Sequence, residues 1–245
     1  MARRAVRVIG PGRAGRSALA ALEKAGWRAD APLGRGDAFR AAAAGVDLLL
    51  IATPDAAVAE VAASVAPVAT TVVAHLAGSL GLDVLEPHER RASMHPLRAI
   101  PTPTTDLSGA WFAVAGDRLA TEAVDDIGGR PISVRDDHAS RAAYHAAAVV
   151  ASNHLVALLG QVERIAAEAG VPLVAFLDLA RGAIDNVAAH GPTGALTGPV
   201  ARGDWDTVRR HLDAIPADEG DAYVAMARQA ARLCGREAES EPLAR

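Results

Sequence analysis

The first 134 residues of the chain alternate between short apolar runs and stretches with helical periodicity. Residues 6–9 lead into Gly10, and residues 47–52 form a run that is apolar throughout after Asp47, which is typical of a strand that helices cover on both faces. Between these runs, apolar residues recur at helical spacing over residues 14–25. This alternation predicts a mostly parallel sheet with helices on both faces.

The same pattern predicts the other elements. We expect further strands at residues 27–31, 70–75, 92–94, 111–115 and 131–134, and short helices at residues 37–44 and 55–65. Beyond residue 135 no strand pattern follows, and we expect helices at residues 136–169, 173–189, 205–214 and 217–234. The sequence therefore predicts an α/β domain over residues 1–135 and an all-helical domain over residues 136–245.

A glycine-rich segment joins the first strand to the first helix. It consists of Gly10, Pro11, Gly12, Arg13, Ala14 and Gly15. In this G-x-G-x-x-G spacing the first glycine allows a tight turn, the second lets backbone approach a pyrophosphate, and the third lets helix and strand pack closely. Its place between strand and helix indicates a dinucleotide-binding Rossmann domain. The alternative is a turn in a Rossmann-like fold that has lost its cofactor.

The choice between NAD and NADP depends on the end of the second strand. In NAD-binding domains an acidic residue about 20 positions after the loop binds the ribose. Asp30 is the candidate here, although its position is also compatible with the strand itself, and Arg35 follows it closely. Together with Arg13, Arg35 suits a 2′-phosphate, unless it is only a solvated loop residue. We therefore expect NADP, with NAD as the alternative.

Polar residues follow three of the predicted strands, where ligands of such sheets bind. Thr53 and Pro54 follow the third strand and are expected to cover the cofactor. Ser79 follows the fourth strand, with a helix N-cap as the alternative role. His75 ends that strand and is more simply a buried histidine. His95 follows the fifth strand, and its imidazole suits proton transfer near pH 7.

The helical half offers a second group of polar residues. His145, Val149 and Asn153 are spaced to share one face of an α-helix, so His145 and Asn153 must find partners or a ligand on an otherwise apolar surface. A structural hydrogen bond between helices is the alternative. Arg202 suits a substrate carboxylate, unless Arg202 and Asp204 only cap the following helix.

Several of these motifs together resemble a known family. They are the glycine-rich segment, His75-x-x-Gly-Ser79, Met94-His95-Pro96-Leu97, Tyr144-His145…Asn153 and Leu196-Thr-Gly-Pro…Arg-Gly-Asp204. The family consists of Rossmann-like proteins with a helical C-terminal domain of unknown function, related to 6-phosphogluconate dehydrogenase, ketopantoate reductase and pyrroline-5-carboxylate reductase. The resemblance covers nearly the whole chain and implies an NAD(P)-dependent oxidoreductase fold without fixing a substrate.

One residue departs from the pattern of the dehydrogenase relatives. They commonly use a lysine and an asparagine one turn apart on the first long helix of the second domain. Lys24 is the only lysine here and lies on the first Rossmann helix, so a lysine acid at that site is excluded. Either His145 replaces it or the chain is a non-catalytic, NAD(P)-binding regulatory protein. His95-Pro96 also resembles a segment of prephenate dehydrogenases, which gives a third possibility.

The composition of the chain limits which partners and locations are expected for it. A formal net charge of −4 leaves no basic excess for a nucleic acid backbone. Cys234 is the only cysteine, so an internal disulfide is excluded. Polar residues interrupt the apolar stretch at residues 142–159, which favours a buried helix over a membrane span, and no secretion signal is apparent. We expect a cytoplasmic homodimer that joins through its Ala- and Val-rich helices.

The sequence thus predicts an NADP-preferring reductase of a small carboxylated ketone or imine, with ketopantoate as the first substrate to test. His145 or His95 is expected to deliver the proton. Asn153 and Ser79 are expected to orient the carbonyl, and Arg202 to bind the carboxylate.

Overall fold

Seven strands form one sheet within residues 3–243, the part of the chain that this computed structural model describes. They are β1 (Ala5–Ile9), β2 (Arg28–Ala29), β3 (Leu48–Ile51), β4 (Val72–His75), β5 (Arg91–Pro96), β6 (Trp111–Gly116) and β7 (Arg130–Ser133). Their spatial order is β2-β1-β3-β4-β5-β6-β7, and only β5 and β6 run antiparallel. The predicted α/β fold with a Rossmann-type sheet and helical C-terminal region is confirmed.

Helices follow in the predicted alternation. Those before residue 153 are α1 (Arg13–Lys24), α2 (Val58–Ser64), α3 (Arg118–Asp126) and α4 (His138–Val149). Those after it are α5 (Leu155–Glu168), α6 (Val174–Ala195), α7 (Pro199–Arg202), α8 (Trp205–Ala214) and α9 (Gly220–Leu233). The chain divides into two compact units, Met1–Ser152 and Asn153–Arg245. The sequence placed the division at residue 135, where the strand pattern ends, whereas the first unit also includes α4.

Alternate residues of each strand pack into two separate apolar cores in the first unit. On one face, Val6, Val8 and Met94 pack with residues of α1 and α3. On the other face, Ile9 and Ile51 pack with α2 and the segment before β3. Fully buried strands with apolar residues on both faces are what a helix-covered parallel sheet requires.

The helix predicted at residues 37–44 is wrong. Residues 40–45 form turns instead. The side chain of Arg7 takes up carbonyl groups there, since its Nη1 donates to the carbonyl oxygen of Ala42 at 2.6 Å and to that of Ala44 at 3.3 Å. Asp37, the expected N-cap, instead accepts a hydrogen bond from the backbone N–H of Gly34 at 2.7 Å. The half-buried side chain of Arg7, on β1, thus binds carbonyl groups that a helix would have paired with backbone N–H groups.

A π-helical turn, Val150–His154, joins α4 to α5. The long helix predicted at residues 136–169 is therefore present, with a local change of pitch. The wider π-turn shifts the residues after it around the helix axis. Because Asn153 lies within this turn, the α-helical spacing that placed it on the face of His145 does not hold there.

The segment His138–Glu168 is long and apolar enough to cross a membrane, with a mean hydropathy of 1.4, but length and composition alone are weak evidence for a span. None of its most apolar window is buried, so the expectation of a buried helix is wrong for the chain as described. The helix instead exposes apolar side chains such as Val150 and Val156.

The second unit has its own core. Val208, Leu212, Val224 and Ala231 pack together from α8 and α9. The carboxylate of Asp204 accepts a hydrogen bond from the backbone N–H of Thr207 at 3.1 Å and caps α8, as one of the alternatives had it. Arg202, the expected carboxylate ligand, is exposed at the last position of α7.

Candidate active site

The glycine loop, residues 10–15, lies between the carboxyl end of β1 and the start of α1. Gly10 has a φ of +98°, and a methyl group there would lie 2.7 Å from the carbonyl carbon of Ala52. A methyl group at Gly15 would lie 2.2 Å from the carbonyl oxygen of Gly10. Glycine is therefore required at both positions, the first for the turn and the second for the contact between helix and strand.

Gly12 differs from these two glycines because open space lies above it. A methyl group at Gly12 would meet no described atom within 4 Å. Gly12 is also the N-cap residue of α1, and no side chain caps that end of the helix. The first N–H groups of α1 therefore face a space where an anion would be stabilised by the helix dipole.

Thr53 adds a polar group beside this loop. It follows β3, the strand next to β1, and its backbone nitrogen would lie 2.9 Å from a methyl group at Gly10. Its Oγ1 is buried and has no hydrogen-bond partner among residues 3–243. Buried hydroxyls without partners are rare in folded proteins.

The strand order of the sheet reverses at β1, and an open α/β sheet binds its ligand at such a point.

Asp30 directly follows β2, and Arg35 lies further along the same segment, next to the glycine loop. The strand direction continues past Ala29, because Leu33 still pairs with Ile9 and donates its N–H to the carbonyl of Val8 at 2.8 Å. Gly34 then reaches the glycine loop, where a methyl group would lie 3.3 Å from Cγ of Pro11. Arg35 follows directly. Arg35 is exposed there.

Asp30 lies earlier along the strand and already has partners. Its carboxylate pairs with the guanidinium groups of Arg7 and, at 3.2 Å, of Arg28. Arg7 also holds the turns at residues 40–45 through their carbonyl groups. This network ties the connection between β2 and β3 to β1, which is a structural role for Asp30.

The imidazole of His95 lies at the centre of a second cluster, formed with Gly78, Tyr144 and His145. Its Nδ1 is 2.7 Å from the hydroxyl oxygen of Tyr144, and its ring centroid is 6.1 Å from that of His145. A methyl group at Gly78 would lie 2.7 Å from Cδ2 of His145 and 3.0 Å from Cε1 of His95. Only glycine at position 78 lets both rings come together. We call these four residues the His95 cluster.

Burial sets the ionisation of the His95 cluster. Burial, and to a smaller extent the neighbouring His145, lower the pKa of His95 to about 4, against the opposing charge of Asp55. Burial also raises the pKa of Tyr144 to about 12, against the opposing charge of Arg141. At pH 7 the cluster therefore holds a neutral imidazole hydrogen-bonded to a neutral phenol, which changes the expected role of His95 from a charged acid to a neutral partner.

A buried cation lies one helical turn before Tyr144. The side chain of Arg141 is fully buried, and its Nη2 donates to the hydroxyl of Ser93 and, at 3.3 Å, to Asp136. Its Nε and Nη1 have no hydrogen-bond partner within the described part of the chain. An incompletely paired buried charge costs stability, and proteins retain such costs mainly at functional sites.

His75 and Ser79 lie in the adjoining loop region. His75 is fully buried, its Nε2 donates to the carbonyl of Gly81 at 3.2 Å, and burial lowers its pKa. The hydroxyl of Ser79 donates to the carboxylate of Asp55 at 3.1 Å. The alternative role of Ser79 as a helix N-cap is wrong, since Gly81 precedes the short helical turn Leu82–Leu85.

The structure brings together only some of the residues singled out from sequence. His95, His145 and Ser79 lie in the first unit near the carboxyl ends of β3, β4 and β5. Asn153 and Arg202 belong to the second unit, and their expected roles stay predictions.

Arg141 and the role of Tyr144 were missed by sequence reasoning. Arg141, Tyr144 and His145 are spaced i, i+3, i+4 and share a helix face, which was the available signal.

Comparison with known proteins gives a family match for part of the chain. Residues 112–230 match a family model described as a domain of unknown function (DUF2520). None of the curated proteins matches the chain. Among solved structures, protein TM1727 from Thermotoga maritima is 22% identical, with a TM-score of 0.72, over 95% of this chain and 99% of its own.

Enzymes are also among the similar structures. A reductive aminase from Aspergillus terreus, in complex with NADPH and ethyl-5-oxohexanoate, is 17% identical with a TM-score of 0.62, over 99% of this chain and 91% of its own. The pyrroline carboxylate reductase of Plasmodium falciparum, with NADP bound, is 12% identical with a TM-score of 0.61, over 96% and 99%. At such identities the likeness establishes the fold, and it confirms the expected relation to pyrroline carboxylate reductases at that level.

Proposed function

We propose that the chain is an NADP-dependent oxidoreductase that reduces a small ketone or imine carrying a carboxylate. The observation that carries the proposal is the pairing of two features at the carboxyl ends of one sheet. One is the glycine loop with open space over Gly12, and the other is the Tyr144–His95 hydrogen bond. Similar structures from Aspergillus terreus and Plasmodium falciparum contain NADPH or NADP, which supports the choice of cofactor.

The residues present fit this cofactor. The N–H groups at the start of α1 would hold the pyrophosphate, the unpartnered hydroxyl of Thr53 would contact it nearby, and Arg35 would bind the 2′-phosphate. Arg13, in the loop itself, is a second candidate for that phosphate. When bound, the nicotinamide supplies a hydride, which is one proton with two electrons, to the substrate carbon. The chain must then supply the proton.

Tyr144 is the group we assign to proton delivery. With Nδ1 of His95 donating to the phenol oxygen, the O–H of Tyr144 is left to donate to the substrate oxygen or nitrogen. The lost proton is replaced through the neutral ring of His95, whose Nδ1 passes its proton to the phenolate while Nε2 takes one from solvent. Exchange of the ring protons with solvent then restores the starting tautomer. The charge of Arg141 favours the transient phenolate. His145, beside His95, remains an alternative donor.

The other substrate contacts are proposals from the sequence. Asn153 as the group that orients the substrate carbonyl, and Arg202 as a carboxylate ligand, stay predictions from the sequence. Ser79, whose hydroxyl donates a hydrogen bond to Asp55, would help to orient the substrate carbonyl. Ketopantoate remains the first substrate to test. Its choice rests on the family resemblance alone.

Steady-state turnover tests the proposal. NADPH oxidation would be followed by absorbance with ketopantoate, other 2-oxo acids and cyclic imino acids. We expect at least one of these compounds to be reduced. Tight NADPH binding without turnover of any of them would favour the regulatory alternative.

Cofactor preference gives a separate prediction. Arg35→Ala should remove the preference for NADPH over NADH, because hydrogen bonds to a charged group contribute about 1.5–3 kcal/mol. Calorimetric titration of both proteins with both cofactors measures the change. Asp30→Ala serves as the control and should leave the preference intact. Equal affinities in the wild type would contradict the role of Arg35.

We also propose that the second unit forms a homodimer. Val156 and Leu179 are 70% and 71% exposed, and Val174 and Ile184 lie exposed on the same helix as Leu179. Exposed apolar helix faces of this kind favour association with a second copy.

Leu179→Glu should therefore convert a dimer to a monomer in multi-angle light scattering, because a buried carboxylate disfavours the interface. The control is Arg118→Glu, at an exposed position of α3. A monomeric wild type at micromolar concentration would refute the proposal.

A further inference from the structure

An exposed apolar shelf lies beside the His95 cluster on the same face of the sheet. Leu97, Trp111 and Ile132 are 40%, 48% and 47% exposed. They are three of the four exposed large apolar side chains in the described part of the first unit, the fourth being Val150. We call Leu97, Trp111 and Ile132 the Trp111 shelf.

The strand register fixes the position of this shelf. His95 pairs with Ala113 across the antiparallel β5–β6 pair, so Trp111, two residues before Ala113, is its diagonal neighbour on that face. Diagonal neighbours of this kind lie about 7–8 Å apart, within reach of an aromatic side chain. Leu97 donates its N–H to the carbonyl of Trp111 at 2.8 Å and so lies opposite it. A molecule in contact with His95 therefore lies within reach of Trp111.

A cation completes the shelf. Arg130 pairs with Trp111 across β6 and β7, and its guanidinium carbon lies 5.7 Å from the centre of the indole ring. Arg130 has no ion pair among residues 3–243. The shelf thus offers an aromatic surface and an available guanidinium, which suits an apolar group that carries a carboxylate.

The size of the shelf favours a small molecule over a second copy of the chain. A stable interface buries about 800 Å² on each partner, whereas three half-exposed side chains provide only a fraction of that area. The apolar faces of α5 and α6 are much larger and belong to the second unit.

We propose that the Trp111 shelf is a substrate subsite, in which the apolar body of an oxo or imino acid packs on Trp111 and Leu97 and its carboxylate binds Arg130. This inference rests on the proposed function. It narrows the substrate class to acids with a branched or extended apolar body, and it assigns the carboxylate to Arg130 in the first unit instead of Arg202.

Three matched probes separate the two halves of the subsite. 4-Methyl-2-oxopentanoate has an apolar body and a carboxylate, pyruvate lacks the body, and 4-methyl-2-pentanone lacks the carboxylate. Calorimetry on the full chain, with and without NADP, measures their Kd. We expect the first probe to bind at least ~10-fold more tightly than the other two, because each part adds its own contact.

Single variants test each half. Arg130→Gln should weaken the oxo acid by about 10-fold and leave the ketone unchanged, and Arg130→Lys should restore part of the loss. Trp111→Ala should weaken the oxo acid by about 10-fold and leave pyruvate unchanged, while Trp111→Phe should retain most of the binding. The control variant Arg118→Gln, on α3, should leave the binding of all three probes unchanged.

Unchanged binding of all three probes in the Trp111 and Arg130 variants would overturn the subsite. A dimer that becomes a monomer in Trp111→Ala would also overturn it, because a second copy would then occupy the shelf. A failure of the proposed function can be told apart from a failure of the subsite. If no substrate is turned over but the binding differences persist, the subsite stands without the reductase. If turnover continues with unchanged KM in both variants, the reductase stands without the subsite.

Discussion

Replacing Tyr144 with phenylalanine should lower kcat by about 10²–10⁴-fold while leaving the affinity for NADPH unchanged. The variant removes the only O–H of the His95 cluster and keeps the ring that packs beside His95. His95→Ala should reduce kcat to a similar extent, because it removes the group that positions and reprotonates the phenol. Steady-state turnover on an active substrate, with calorimetry for NADPH, measures both effects.

The second unit offers a matched control. Tyr223 and His211 form a pair with the same geometry, with the phenol oxygen 2.7 Å from Nδ1 and the ring centroids 5.9 Å apart. Tyr223→Phe should leave kcat unchanged. His145→Ala tests the alternative proton donor. Wild-type kcat in Tyr144→Phe together with a large loss in His145→Ala would return the role to His145.

The pH dependence distinguishes a neutral His95 from a charged one. The pKa of His95 lies at about 4 and that of Tyr144 at about 12. Neither group changes its charge between pH 6 and 8, so His95→Ala should not alter the shape of the profile there. A wild-type decline near pH 6.5 that disappears in His95→Ala would contradict the neutral imidazole.

Gly12→Asp should abolish binding of NADPH without disturbing the fold. The new side chain would enter the open space above the loop, where its negative charge would oppose the pyrophosphate and occupy the start of α1. Calorimetric titration measures the loss, and the melting temperature confirms that the chain remains folded.

Two further variants control for the effect of added bulk. Gly12→Ala should retain partial binding, because it adds volume without charge. Gly15→Ala should lower stability, because its methyl group would lie 2.2 Å from the carbonyl oxygen of Gly10. Unchanged NADPH affinity in a folded Gly12→Asp variant would refute cofactor binding at this loop.

Local patterns explain which parts of the fold could be predicted from sequence. The strand predicted at residues 47–52 is apolar throughout after Asp47. The glycine loop combines a turn, a close contact and a helix start, each of which has a sequence signal. The helix at residues 37–44 failed because Arg7, more than 30 positions earlier in the chain, binds its carbonyl groups. A contact of such sequence separation has no periodic signature.

The candidate site, like the fold, could be predicted from the sequence only in part. His95 and His145 were found because polar residues stood out against apolar surroundings. Their approach to one another depends on the missing side chain of Gly78, which no spacing rule indicates. Nothing in the sequence around Arg141 indicates burial, and only the fold shows it buried against Ser93. Burial likewise determines the neutral state of His95, which the sequence led us to expect as a charged acid.

Transfer of deuterium from the cofactor tests the central claim most directly. The full chain would be incubated with NADPH carrying deuterium at both hydrogen positions of the nicotinamide C4, together with ketopantoate, 4-methyl-2-oxopentanoate and a cyclic imino acid. The products would be examined by mass spectrometry. We expect one product to gain one deuterium in the wild type, and none to do so in Gly12→Asp. Tight binding of NADPH with no deuterium in any product would contradict the assignment of the chain as a reductase of carboxylated ketones or imines.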